Sequence, residues 1–131
     1  MLERLKLLEE NISELMAFKK KFGLNDIKDN KIREWALRYG LLETIQAVID
    51  ISCHLVSSYN LGNPASYGEC VELLEKHSYI DNELTTKLIG MIGLRNLLIH
   101  EYAIIDIDKL YELLSDLDDF TIFAKKINKK L

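Results

Sequence analysis

Apolar residues recur three and four positions apart along almost the whole chain, and a single proline, Pro64, interrupts it. Leu5, Leu8, Ile12, Leu15 and Met16 keep that spacing in the first segment; Ile107, Leu110, Leu114 and Leu117 keep it in the last. A helix turns about 100° per residue, so this spacing gathers apolar side chains on one face. A half-buried strand would need strict alternation, which is absent. The pattern predicts five helices. The first runs from about Leu2 to Phe22 and stops near Gly23. The second is long, about Asp26 to Tyr59, with its early part DIKDNKIREW open to a break or a late start. The third opens on Ser66–Tyr67–Gly68–Glu69, a Ser-x-x-Glu capping box, and ends near Ser78. The fourth follows Asp81 as N-cap and reaches about His100. The fifth begins near Asp106 or Asp108 and ends in KKINKKL, whose lysines oppose the negative end of the helix dipole. Short loops between long helices make neighbours antiparallel, so the expected fold is an all-α, up-and-down helical bundle.

At 131 residues and 48% hydrophobic content the chain suits one domain, residues 1–131, around one core. Its net charge of −4 excludes a whole-chain attraction to RNA, DNA or an anionic membrane, so a nucleic-acid role has to be local. No apolar run reaches the roughly eighteen residues of a membrane span, and MLERLKLLEE is charged and amphipathic. Neither a membrane span nor a signal peptide is expected, and the location is cytoplasmic. Cys53 and Cys70 lie in amphipathic contexts without ligand spacing, which predicts two half-buried thiols in a reducing compartment. His54, His77 and His100 are too scattered for a metal motif, and no carboxylate set points to a catalytic ion; no metal or other cofactor is expected. Trp35 and the six tyrosines are scattered, with no platform of interleaved basic and aromatic residues.

The fourth helix is apolar nearly all round between Leu88 and Ile99, which predicts burial on more than one side. Gly90 and Gly93 each cost about 1 kcal/mol against alanine in a helix, and close approach of another helix would offset that. Two arrangements fit: a homodimer packed across this helix, or a tight crossing within one chain. Into the same helix the sequence puts Arg95, Asn96 and His100. An unpaired buried charge costs several kcal/mol, so Arg95 must be paired or wet. Asn96 and His100 share a stripe, whereas Arg95 and His100 point about 140° apart on a regular helix. They act together only if the helix ends sharply near His100 or if two subunits meet. Arginine supplies a fixed fork of donors for a phosphate, histidine moves a proton near neutral pH, and asparagine orients either. Such a set suits metal-free phosphodiester cleavage. The plainer reading of the same residues is a capping and salt-bridge pair, and a nucleotide-binding helix end is a third. On the second helix, Glu43, Gln46, Asp50 and His54 form a polar stripe. It is either a solvated face or the wall of a groove, in which Asp50 holds Arg95 and His54 lines the floor.

Arg95–Asn96–x3–His100–x–Tyr102 resembles the R-x4-H-x-Y signature of HEPN-domain proteins, in their HepT-like toxin branch. RYGLLETIQAVIDISCH (38–54), the segment 64–74, RNLLIHEYAIID (95–106) and DLDDFTIFAKKI are similar to that branch in register with the five-helix layout. The resemblance implies an all-helical homodimer whose paired motifs form one groove, acting as a metal-independent endoribonuclease on tRNA or mRNA. It implies Arg95 and His100 as the catalytic pair and Asn96 as a positioning residue. It also implies a partner, a minimal nucleotidyltransferase antitoxin of the MntA kind, which adds AMP to Tyr102 and could join a larger hetero-oligomer. The non-enzymatic alternative is a HEPN interaction module that binds such a nucleotidyltransferase through the same surface.

Overall fold

A computed structural model of the chain describes residues 1–100 and 104–131. Helix α1 (Leu2–Lys21) buries Leu5, Leu8, Ile12 and Leu15, the face that the apolar spacing predicts. It stops one residue earlier than Gly23 would have stopped it, because Phe22 is already extended and Gly23 instead starts α2 (Leu24–Lys28). The Gly23 N–H donates to Asp26 Oδ2 at 2.9 Å.

The long second helix is divided. Helix α3 begins only at Lys31 and runs 28 residues to Ser58, because Asn30 turns its side chain onto the Arg33 N–H at 3.1 Å and caps a new helix. Helix α3 is the hub of the bundle: α1, α2, α4, α5 and α6 all pack on it. Eleven of its residues are buried, from Leu37 to Val56, and the buried Thr44 hydroxyl is satisfied by the Gly40 carbonyl at 2.7 Å. Gly40 lies close to α1: a Cβ there would stand 2.9 Å from Leu15 Cδ2, so that leucine side chain would have to shift.

Helix α4 (Tyr67–Lys76) has the predicted start, with Ser66 Oγ accepting from the Glu69 N–H at 3.2 Å. The Glu69 carboxylate reaches back one residue further than a capping box requires, to the Ala65 N–H. His77 closes α4, and its ring binds the Leu61 carbonyl at 3.1 Å, which pins the α3–α4 loop. Helix α5 (Asn82–Ile99) starts on Asp81 as predicted, Oδ1 accepting from the Leu84 N–H at 2.9 Å. The last predicted helix is two: α6 (Ile107–Leu113) and α7 (Leu117–Lys130), with a 3-10 turn, Leu114–Asp116, between them. Lys87 of α5 reaches the buried Asp119 of α7 at 3.4 Å, so that carboxylate is paired.

The all-α bundle is therefore as expected, with seven helices among the described residues in place of five. No helix among them is long and apolar enough to cross a membrane. Two expectations are not met within the single chain. Helix α5 buries one face only, through Leu84, Thr85, Leu88, Met91 and Ile92. Gly90 and Gly93 do not serve a crossing within the chain, since a Cβ on either would meet no atom within 4 Å.

The second correction concerns the cysteines. Cys53 of α3 and Cys70 of α4 are joined, with an S–S separation of 2.18 Å and a Cα–Cα distance of 5.1 Å. Helical periodicity places each residue on its own helix but says nothing about how α4 folds back onto α3, so the pairing was not legible. In the chain-entropy description, a cross-link over 17 residues stabilises by about 3 kcal/mol. Urea unfolding with and without reductant should show a midpoint lowered accordingly, and thiol titration of the unreduced folded protein should find no free cysteine. Two titratable thiols and identical midpoints would show that the sulfurs are not bonded.

Candidate active site

The break of helical order at the end of α5 sets the site. Arg95 lies one turn before the end, half-buried, while His100 is the C-cap, exposed and in extended conformation. The separation of about 140° that a regular helix would impose does not carry over to His100, because the helix stops at Ile99. Ile99 and Leu97 remain exposed on the same last turn.

Three groups hold the Arg95 guanidinium. Its Nε donates to Gln46 Oε1 of α3 at 2.9 Å, and its Nη1 donates to Asn96 Oδ1 at 3.0 Å. Its Cζ lies 5.1 Å from the centroid of the Tyr67 ring, at the start of α4. Gln46 is itself oriented, since its Nε2 donates to Asp50 Oδ1 at 2.8 Å. An arginine has five N–H donors in a fixed fork, so three remain to meet an anionic oxygen. The guanidinium is thereby fixed in direction before any ligand arrives.

The stripe on α3 divides in consequence. Asp50 is exposed and makes no direct ion pair with Arg95; Gln46 stands between them and transmits the orientation. Spacing on α3 alone cannot show this, because the gap between α3 and α5 decides which side chain spans it. His54 turns elsewhere, its Nε2 lying 3.3 Å from Ser58 Oγ one turn on. Glu43 faces Tyr39: as hydrogen-bond acceptor and negative charge it holds the phenol above its ordinary pKa. Tyr102, expected from the resemblance to be the modified residue, lies outside the described residues. Beside Arg95 an open cleft of about 730 Å³ is lined by Pro64, Tyr67, Ile92, Gly93 and Asn96, among others. Gln46 is visible in the sequence only as one member of a polar stripe. Tyr67 carries no signal that pairs it with a residue on another helix.

Comparison with known proteins bears on the family and the fold. The family model described as "Ribonuclease HepT-like" matches residues 8–127. An mRNA nuclease HepT of Shewanella oneidensis is 30% identical over 111 residues, 84% of this chain and 77% of that protein. A tRNA nuclease HepT of Aphanizomenon flos-aquae is 33% identical over 93 residues, 70% of this chain and 63% of that one. Among solved structures, a tri-AMPylated Shewanella oneidensis HEPN toxin in complex with MNT antitoxin superposes with a TM-score of 0.89 at 23% identity. The superposition covers 98% of this chain and 96% of that one, so the fold is the same. A match over nearly the whole length decides the relationship: the chain belongs to the HepT-like ribonuclease family.

Proposed function

We propose that residues 1–131 act as one HEPN-like unit, a metal-independent endoribonuclease toxin that cuts tRNA or mRNA with Arg95 and His100. The observation that carries this reading is the guanidinium fixed by Gln46, Asn96 and Tyr67 one turn before the helix ends on an exposed histidine. In the proposed reaction His100 removes the proton from a ribose 2′-OH. The 2′ oxygen attacks the adjacent phosphorus, the bond to the 5′ oxygen breaks, and that oxygen takes up a proton. Negative charge grows on the non-bridging oxygens, and the remaining Arg95 donors meet it. Fixed donors avoid reorganisation at the moment of reaction, which is what the three supports of Arg95 provide.

A homodimer across α5 completes the groove in this reading. Gly90, Gly93 and the 51%-exposed Leu97 leave that face bare and partly apolar, which supports a second copy over solvent. A minimal nucleotidyltransferase antitoxin regulates the toxin. The Tyr102 oxygen attacks the α-phosphorus of ATP, pyrophosphate leaves, and the AMP ester blocks the groove.

Arg95→Ala and His100→Ala should each lower RNA cleavage by roughly 10²- to 10³-fold, with circular dichroism and oligomeric mass unchanged. If both variants cut as fast as the parent, Arg95 and His100 are not the catalytic pair; if the pure parent protein cuts no RNA, the non-catalytic interaction module takes the place of the nuclease. Gln46→Ala should lower kcat by about tenfold with less effect on KM, because the guanidinium is still present but no longer aimed. Gln46→Glu combined with Asp50→Asn, which removes the like charge otherwise 2.8 Å away, should recover most of the loss, since a carboxylate accepts the same Nε–H; a loss equal to that of Gln46→Ala would reduce Gln46 to a packing residue. Mass spectrometry after incubation with the cognate nucleotidyltransferase and ATP should find AMP on Tyr102 and none in Tyr102→Phe; adducts confined to another residue would refute the regulatory part.

A further inference from the structure

We propose that the exposed face of α3 carries a stacking platform for single-stranded RNA, formed by Trp35 and Tyr39 and leading into the Arg95 site; it rests on the ribonuclease reading above. Trp35 is 57% exposed and Tyr39 64% exposed, two large rings in water one turn apart on one helix. Scattered in the sequence, they come together because residues four apart share a helix face. Gln46 and Asp50 lie within about 60° of the same arc, and Gln46 stands about 16 Å further along the axis from Trp35. Gln46 holds Arg95, so the aromatic stretch and the proposed cutting site are two ends of one surface.

Charge selects the occupant. Lys31 Nζ sits 5.6 Å from the centroid of the Trp35 ring, and Arg38, on the same flank by helical geometry, follows seven residues later. The opposite flank carries the Glu43 carboxylate, against Tyr39. Rings that can stack bases, with cations along one edge that can track phosphates, are what a single strand requires. Beside Tyr39 a cleft of about 500 Å³ opens between α1 and α3, with Phe18 and Lys21 on its far side, room for an unstacked base. Residues scattered in sequence order thus share one helix face, which the spacing along the chain does not show.

Trp35 is the only tryptophan of the chain, so its fluorescence reports this site alone. The full-length protein is titrated with an unstructured 2′-O-methyl RNA oligomer, which binds but cannot be cut. The expected result is saturable quenching that weakens as salt rises. Trp35→Ala combined with Tyr39→Ala should weaken binding of a labelled oligomer by roughly tenfold or more and raise KM for cleavage, with oligomeric mass unchanged. Trp35→Phe should keep most of the affinity. Unchanged fluorescence on addition of the oligomer overturns the platform, whether or not the protein cuts native RNA. Loss of dimer or of antitoxin binding in the double variant, with RNA affinity intact, also overturns it and assigns the face to a protein. Failure of the nuclease reading shows separately, as native RNA left whole.

Discussion

The hydrogen bond from Arg95 Nε to Gln46 Oε1 joins the last turn of α5 to the middle of α3, the helix on which five others pack. The guanidinium is only half-buried and its remaining donors stay open to water, so the bond to α3 matters less for its burial than for the direction it imposes. Asp50 keeps the Gln46 amide the right way round, with its oxygen toward Arg95, and Tyr67 closes the stack from α4. Three helices thus define one direction for one charge. The core that fixes their spacing, from Leu37 to Val56 on α3 and Leu84 to Ile92 on α5, is what gives that direction its rigidity.

Short-range features were legible in the sequence. Asp81 and Ser66 cap the helices they were expected to cap, since a cap is decided within four residues. The motif from Arg95 to Tyr102 is likewise a short-range pattern, readable from residue order alone. Features set by the separation of helices were not. The bond between Cys53 and Cys70, the placement of Gln46 between Asp50 and Arg95, and the stack on Tyr67 each depend on where two helices meet. Helix α5 shows a related effect: it is apolar nearly all round, yet only one face enters the core of the chain. Hydropathy counts apolar residues and cannot say which of them cover the chain's own core.

The acidic balance of the whole chain, −4, does not decide its affinity for an anion. Screening limits such attraction to about 8–10 Å at ordinary ionic strength, so the local arrangement of cations governs. Around the site the pattern is uneven: Arg95 is fixed and open on one side, Lys31 and Arg38 line one flank of α3, and Glu43 and Asp50 occupy the other positions of that face. A ligand that carries charge along one edge and flat rings along the other matches this pattern better than a point anion does.

The central claim is that the fixed guanidinium and the terminal imidazole cut RNA by attack of its own 2′ oxygen. The most direct measurement is the chemistry of the cut ends, made with purified protein in excess EDTA. The account predicts continued cleavage, with 2′,3′-cyclic phosphate on one fragment and a 5′-hydroxyl on the other. Cleavage that stops on chelation and leaves 3′-hydroxyl and 5′-phosphate ends would contradict it.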